Sequence, residues 1–292
     1  MLASVRLGEK SAAACAVTSW QDRLYLAWTG TDLHINVASS VDGRVIMGKR
    51  RLAQVSYKRV TKSSPGANQS STTETVALAP ALAGSGERLS LAWTGTGGAL
   101  GVLAAEPPEY AGPVTFKERS GESPALAATE VGGLAVAWTG TDRRVNLLTM
   151  AAGSPAVPRT GDAKSRFGEA KSDSAPAVCH HEGHPVVAWT GSDRRVNVIT
   201  AAGYGPGAPL RLDEARSYGA PALCSHQGRL ILAWTGSDRR VNLMTVAEYG
   251  PGAPLRLDEA RSYGAPALCS HRGRLILAWT GSDRRINLAY VQ

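Results

Sequence analysis

Four Asp-Arg pairs recur along the chain, Asp142/Arg143, Asp193/Arg194, Asp238/Arg239 and Asp283/Arg284, each followed by a second arginine (Arg144, Arg195, Arg240, Arg285). A second constellation repeats between them: Glu169 with Lys171, Glu214 with Arg216 and Tyr218, and Glu259 with Arg261 and Tyr263. Guanidinium and ammonium groups donate hydrogen bonds, carboxylates accept them, and a tyrosine ring presents an apolar face with a polar tip. Together they suit a polyhydroxylated ligand whose hydroxyls bond the polar groups while its CH face packs on the ring. They equally suit a lattice of surface ion pairs, each worth about 0–1 kcal/mol. Paired carboxylates about 5–10 Å apart also serve glycoside hydrolysis. Glu214 with Asp213 or Asp238 offers such a pair, but the same residues recur in several places.

Other chemistries find less support. Cys15, Cys179, Cys224 and Cys269 form no CxxC pair, so zinc-ribbon and thioredoxin chemistry have no footing. His226 and His271 lie in different repeats and read as strand-end surface residues, not as a metal pair. No metal and no cofactor is expected. The net charge of +8 permits attraction to polyanions, yet basic and aromatic residues do not interleave as nucleic-acid binding would need. No run of about 18 apolar residues predicts a membrane span.

The elements that carry these residues come from a repeat. AWTG occurs six times, with its tryptophan at Trp28, Trp93, Trp138, Trp189, Trp234 and Trp279, spaced by 65, 45, 51, 45 and 45 residues. Residues 204–245 and 249–290 differ only at Gln227/Arg272, Val241/Ile286, Met244/Ala289 and Thr245/Tyr290. One unit reads as four short strands, PALCSH, RLILAWTG, RVNLMTV and PLRL, each bounded by Gly, Pro, Ser or Asp. Four strands in about 45 residues is the period of a propeller blade. The predicted fold is all-β: a six-bladed β-propeller of four-stranded antiparallel blades in one domain spanning 1–292. Its blades are expected at about 11–74, 75–120, 121–173, 174–218, 219–263 and 264–292 plus 1–10. The end of the chain, INLAYVQ, matches a third strand, and its start, ASVRLGEKS, matches a fourth strand with its exit loop. The N-terminal strand therefore completes the last blade, which removes two exposed sheet edges.

Period-2 alternation puts Leu230, Leu232 and Trp234 on one face of their strand and Ile231, Ala233 and Thr235 on the other. The motif tryptophans read as blade-to-blade packing. Trp20, outside the motif, reads as the better candidate for stacking on a ligand. Asn36, Asn146, Asn197, Asn242 and Asn287 recur in the third strand, where Asn is disfavoured, and are expected to tie neighbouring backbone. The TGSDRR hairpin joins strands two and three. In an up-and-down blade it emerges at the same end as the inter-blade loops, read as GEKS, GEAKS and DEARSYG, so the two constellations share one rim. The basic, then Ser/Thr-rich segment at 48–75 reads as a long outer-strand connection, and SPAVPRTGDAKSRFG as a shorter insertion.

The AWTG(S/T)D-x-x-(V/I)N unit resembles repeats of sialidase-like bacterial propeller proteins and, more loosely, propeller lectins. SSVDGRVI at Ser39–Ile46 resembles the Asp-box turn S-x-D-x-G-x-T-W, but Gly follows Asp directly and the Trp is missing. The lectin resemblance implies saccharide sites repeated between blades. The sialidase resemblance implies an arginine triad with a Tyr–Glu nucleophile, and near-identical blades argue against one such asymmetric centre. The expected function is thus a multivalent, non-enzymatic carbohydrate-binding propeller whose partners are glycans or glycoconjugates. The alternatives are a protein-interaction scaffold, a recently amplified or engineered propeller with no selected ligand, and a sialidase-like hydrolase. Unpaired thiols and no recognisable leader suggest the cytoplasm, with non-classical export as the other route.

Overall fold

The computed structural model describes residues 4–54, 57–62, 71–106, 109–110, 114–151, 163–202, 205–206, 208–247 and 250–291. They form six four-stranded antiparallel blades. Blade 1 holds β2 (Ala16–Trp20), β3 (Arg23–Thr29), β4 (His34–Ser40) and β5 (Met47–Gln54). A hairpin of β6 (Tyr57–Lys62) and β7 (Ser71–Val76) follows, so the described part of the expected connection carries strands of its own. Blade 2 holds β8 (Ala81–Ser85), β9 (Arg88–Thr94), β10 (Ala99–Glu106) and β12 (Val114–Arg119), with a short β11 (Glu109–Tyr110) also on β10. Blade 3 holds β13 (Ala125–Ala128), β14 (Leu134–Thr139), β15 (Arg144–Met150) and β16 (Ala163–Lys171). The start of the insertion after blade 3 falls outside the described residues. Blade 4 holds β17 (Ala177–His181), β18 (His184–Thr190), β19 (Arg195–Ala202) and β21 (Leu210–Arg216), with β20 (Gly205–Pro206) beside β19. Blade 5 holds β22 (Ala222–His226), β23 (Arg229–Thr235), β24 (Arg240–Ala247) and β26 (Leu255–Arg261), with β25 (Gly250–Pro251) beside β24. Blade 6 holds β27 (Ala267–His271), β28 (Arg274–Thr280) and β29 (Arg285–Val291), and its fourth strand is β1 (Ser4–Lys10). Val5 pairs with Leu288 and Lys10 with Arg285, so the N-terminal strand does complete the last blade.

The first strands β2, β8, β13, β17, β22 and β27 contact one another in succession, and β27 returns to β2. They surround an axial throat lined by Ala and Pro, among them Pro124, Pro176, Pro221 and Pro266. Each seam between blades has its own apolar core, and the alternation along each second strand fills two of them. Leu230, Leu232 and Trp234 of β23 pack toward blade 4, against Val186, Ala188, Val198 and Ala215. Ile231 and Ala233 of the same strand pack toward blade 6, against Leu268, Leu277 and Trp279. All six motif indoles are buried, from 1% exposed at Trp28 to 9% at Trp93.

The motif threonine fastens each seam. Thr29, Thr94, Thr139, Thr190, Thr235 and Thr280 each donate from Oγ1 to a backbone carbonyl in the segment leading into the next blade, at 2.6–3.0 Å. Thr280 donates to Ala13, which gives the seam between blades 6 and 1 the same latch as the others. Asn36, Asn146, Asn197, Asn242 and Asn287 each donate their amide to the backbone carbonyl two residues earlier, the tie expected of them.

Two expectations need correction. Trp20 does not face a ligand: it is 7% exposed, its Nε1 donates to the carbonyl of Gly86 at 2.9 Å, and it lies so close to β8 that a Cβ at Gly84 would come within 2.4 Å of it. The histidines are not mere surface residues. His181, His226 and His271 pair through Nδ1 with the hydroxyls of Ser225, Ser270 and Ser19 across consecutive seams, at 2.9, 2.9 and 2.7 Å. His271 is 3% exposed and its Nε2 reaches no hydrogen-bond partner among the described residues.

Trp234→Ala is expected to destabilise the protein by about 3–5 kcal/mol, because it removes a buried ring and leaves a cavity; urea denaturation measures this, and a loss under about 1 kcal/mol would contradict the seam packing. Desolvation, helped by the Arg272 charge and opposed by Asp22, holds His271 below its ordinary 6.5. The unfolded chain then takes up the proton first, so this contribution is whole above pH 6.5 and is lost as pH falls through the folded value. The melting temperature is expected to fall as pH drops from 7 to 5, and His271→Gln to flatten that fall; an unchanged slope would show that His271 does not titrate across the seam.

Candidate functional site

Each Asp-Arg-Arg hairpin is a tight turn built on the motif glycine. In blade 4 the Gly191 N–H donates to the Arg195 carbonyl at 2.8 Å and the Arg194 N–H donates to the Gly191 carbonyl at 2.9 Å. The Asp193 carboxylate accepts the Arg195 N–H at 3.0 Å, and a Cβ at Gly191 would sit 3.0 Å from that carboxylate. The turn requires a left-handed residue, and the first arginine of the pair supplies it: Arg143, Arg194, Arg239 and Arg284 have φ of 65°, 65°, 63° and 62°. That conformation costs a residue with a Cβ about 1–2 kcal/mol. It also aims the backbone: the carbonyls of these four arginines accept the N–H groups of Ser172, Ser217, Ser262 and Ser11, at 2.8–2.9 Å.

The hairpin carboxylates are engaged within their own blades. Asp193 pairs with Arg195 at 3.4 Å and with Arg211 of the outer strand at 3.1 Å, and Asp213 pairs with the same two arginines at 3.0 and 3.2 Å. Blade 5 repeats the network with Asp238, Arg240, Arg256 and Asp258 at 2.9–3.4 Å. Asp142 pairs with Arg166, and Asp283 with Arg6. The backbone N–H of Arg195 holds Asp193 below the usual carboxylate range, with the Arg211 and Arg195 charges adding to it. The Arg240 N–H does the same for Asp238, aided by Arg240 and Arg256. The outer-strand arginines, Arg6, Arg166, Arg211 and Arg256, are not among the expected site residues; their signal in the sequence is a basic residue at one place in VRL, SRF, LRL and LRL.

The DEAR segments read as loops are the ends of the outer strands. Arg216 pairs with Arg195 while Leu212 pairs with the adjacent Val196, so Asp213, Glu214 and Ala215 form a bulge; β26 repeats it against β24. Bulges of this kind re-aim side chains. Ala215 turns into the seam, while Glu214 and Arg216 stay exposed. Glu259, Arg261 and Lys171 are exposed likewise. The Glu169 side chain lies outside the described residues.

Tyr218 and Tyr263 follow in the connections and are 58% and 59% exposed. The Arg194 guanidinium lies over the Tyr218 ring at 4.3 Å, and that of Arg239 over Tyr263 at 4.1 Å, a cation–π arrangement that holds each ring in place. At the preceding junction Arg143 instead forms an ion pair with Asp173, which stands where the tyrosines stand. The rings and Asp173 line a mouth of about 610 Å³ above the axial throat, together with Ser282 and Arg284.

The structure thus brings Arg194 over Tyr218 at one junction and Arg239 over Tyr263 at the next, while Glu214, Arg216, Glu259 and Arg261 are exposed at the outer-strand ends and are not among the residues that line the mouth. Asp142, Asp193, Asp238 and Asp283 serve the hairpins. No group of three or more His, Cys, Asp or Glu fit to hold a metal occurs among the described residues. Burial pushes the Cys15 and Cys224 thiols up to about 12, which keeps them protonated and poorly nucleophilic near neutrality.

Neither a protein-family model nor a curated protein sequence matches the chain. Solved structures do. The fucose-specific lectin from Aleuria aurantia superposes with a TM-score of 0.66 at 7% identity, over 99% of this chain and 94% of that one. The BP39L lectin from Burkholderia pseudomallei gives 0.64 at 16% identity, over 95% and 80%. Trypanosoma rangeli sialidase gives 0.54 at 10% identity, over 99% of this chain but only 57% of that one. At such identities the likeness is one of fold, the six-bladed β-propeller.

Proposed function

We propose that the chain is a carbohydrate-binding propeller that holds saccharides at repeated junctions between blades and does not cleave them. The observation that carries the reading is the pair of exposed tyrosines, each backed by a guanidinium at 4.3 or 4.1 Å and turned to the axial mouth. A ring fixed on one side and open on the other is a platform for the CH face of a sugar. A few residues before each ring in the chain, at the exposed ends of the outer strands, come a carboxylate and a guanidinium that make no side-chain hydrogen bond or ion pair among the described residues: Glu214 with Arg216, and Glu259 with Arg261. They are free to bond sugar hydroxyls. The fold shared with a fucose-specific lectin supports the reading. Two equivalent sites on one rigid ring raise avidity toward a branched or clustered glycan without any further contact.

A glycosidase acid needs a raised pKa, so Asp193 and Asp238, held below the usual range by hydrogen bonds from their own turns, do not suit that one role.

A glycan array tests the reading: the folded protein is expected to bind a subset of glycans saturably. Tyr218→Ala with Tyr263→Ala is expected to abolish that binding. Arg216→Ala with Arg261→Ala is expected to weaken it while leaving the melting temperature nearly unchanged, since both side chains are exposed. Folded protein that binds no glycan would contradict the function, and normal binding by the double arginine variant would contradict this choice of rim.

A further inference from the structure

The four hairpin arginines offer an internal comparison. They share one backbone conformation, and each accepts the N–H of the serine that begins the next connection. Their side chains differ only in what meets them one residue after that serine. Arg143 meets the carboxylate of Asp173. Arg194 and Arg239 meet the rings of Tyr218 and Tyr263. At the seam between blades 6 and 1 the residue after Ser11 is Ala12, which offers neither. The Arg284 side chain accordingly makes no hydrogen bond, ion pair or ring contact among the described residues. Of the four arginines it is the one that lines the axial mouth, in the place where tyrosines intervene at the two preceding junctions.

We infer that the seam between blades 6 and 1 is a binding site for an acidic saccharide, a uronic or sialic acid unit, whose carboxylate takes the place at Arg284 that Asp173 takes at Arg143. The inference rests on the saccharide reading and names one ligand class within it. The protein's own chemistry at the equivalent junction sets the preference for a carboxylate, and a guanidinium meets a carboxylate through a planar pair of hydrogen bonds. The surroundings fit a sugar ring. The Ser282 hydroxyl and the small Ala12, Ala13 and Ala14 line the mouth beside Arg284 and leave room there. The acid next to Arg284 in the chain, Asp283, is paired with Arg6; of the two acids that line the mouth, Glu122 and Asp173, Asp173 is paired with Arg143. The site is also held rigidly. The Arg284 carbonyl accepts the Ser11 N–H at 2.8 Å, and Thr280 latches the same seam.

Isothermal titration with glucuronic acid, galacturonic acid and N-acetylneuraminic acid, each against its neutral counterpart, tests the site on the whole chain. One equivalent of an acidic sugar is expected to bind more tightly than the neutral one, by roughly tenfold or more given what a charge-assisted pair contributes. Arg284→Gln is expected to erase that preference. Ala12→Asp installs the carboxylate found at Asp173 and is expected to erase it too, while any neutral-sugar binding at Tyr218 and Tyr263 is retained. Circular dichroism confirms that both variants fold, and Ala12→Ser, which cannot occupy the guanidinium, is expected to keep the preference. Acidic and neutral sugars binding alike, or a preference that survives both Arg284→Gln and Ala12→Asp, would overturn the inference without touching the tyrosine junctions. Acidic-sugar binding lost in these variants, with no neutral-sugar binding anywhere, would uphold this site and sink the tyrosine platforms. A C-terminal peptide carboxylate binding as tightly as the sugars would overturn the saccharide assignment.

Discussion

Each blade presents two apolar faces of unlike shape. One carries the indole and two large aliphatic side chains, as with Leu230, Leu232 and Trp234. The other carries residues such as Ile231 and the small Ala233. A single four-stranded sheet cannot bury both faces by itself, and an open row of sheets would leave a large apolar face bare at each end. Only a closed ring gives every indole a small-residue face to fill. The seam between blades 6 and 1 is therefore as well packed as the rest. Leu7, Ile276, Ala278 and Leu288 meet Val17, Leu24, Leu26 and Trp28 there.

That packing sets the rim chemistry. The strand that places the indole also places the latch threonine, the turn glycine and the Asp-Arg-Arg hairpin, in that order. The hairpin therefore always hangs over the connection entering the next blade. Its aspartate folds the turn and takes an arginine of the outer strand, and its first arginine projects across the seam. What that first arginine meets is decided by a single residue of the connection, so a repeated frame produces junctions of different character: Asp173, Tyr218, Tyr263 and Ala12 at otherwise matching places.

Much of this was legible in the residues. The six AWTG copies and the four-strand period carried the blades, and the match of VRL near the start to the LRL strands placed β1 on blade 6. Alternation along RLILAWT assigned each side chain to its seam. What was not legible depends on distances between segments far apart in the chain. Trp20 looked available because it stands outside the motif, but the glycine at 84 lets β8 close over it. The DEAR segments looked like loops because they are charged; the bulge against β19 and β24 turns only their alanines inward. The hairpin aspartates looked like ligands for a sugar, and the arginines that occupy them come from outer strands and from across the chain's ends. His271 looked exposed because it ends a strand, yet blade 1 covers it.

The closed ring is tested most directly by native-state hydrogen exchange at three matching amides. Ser217 and Ser262 donate to Arg194 and Arg239 within seams of ordinary connectivity, and Ser11 donates to Arg284 where the two ends of the chain meet. A ring closed as firmly there as elsewhere predicts comparable protection for all three. Exchange at Ser11 faster by orders of magnitude, with Ser217 and Ser262 protected, would mean that the ring stands open between its last and first blades.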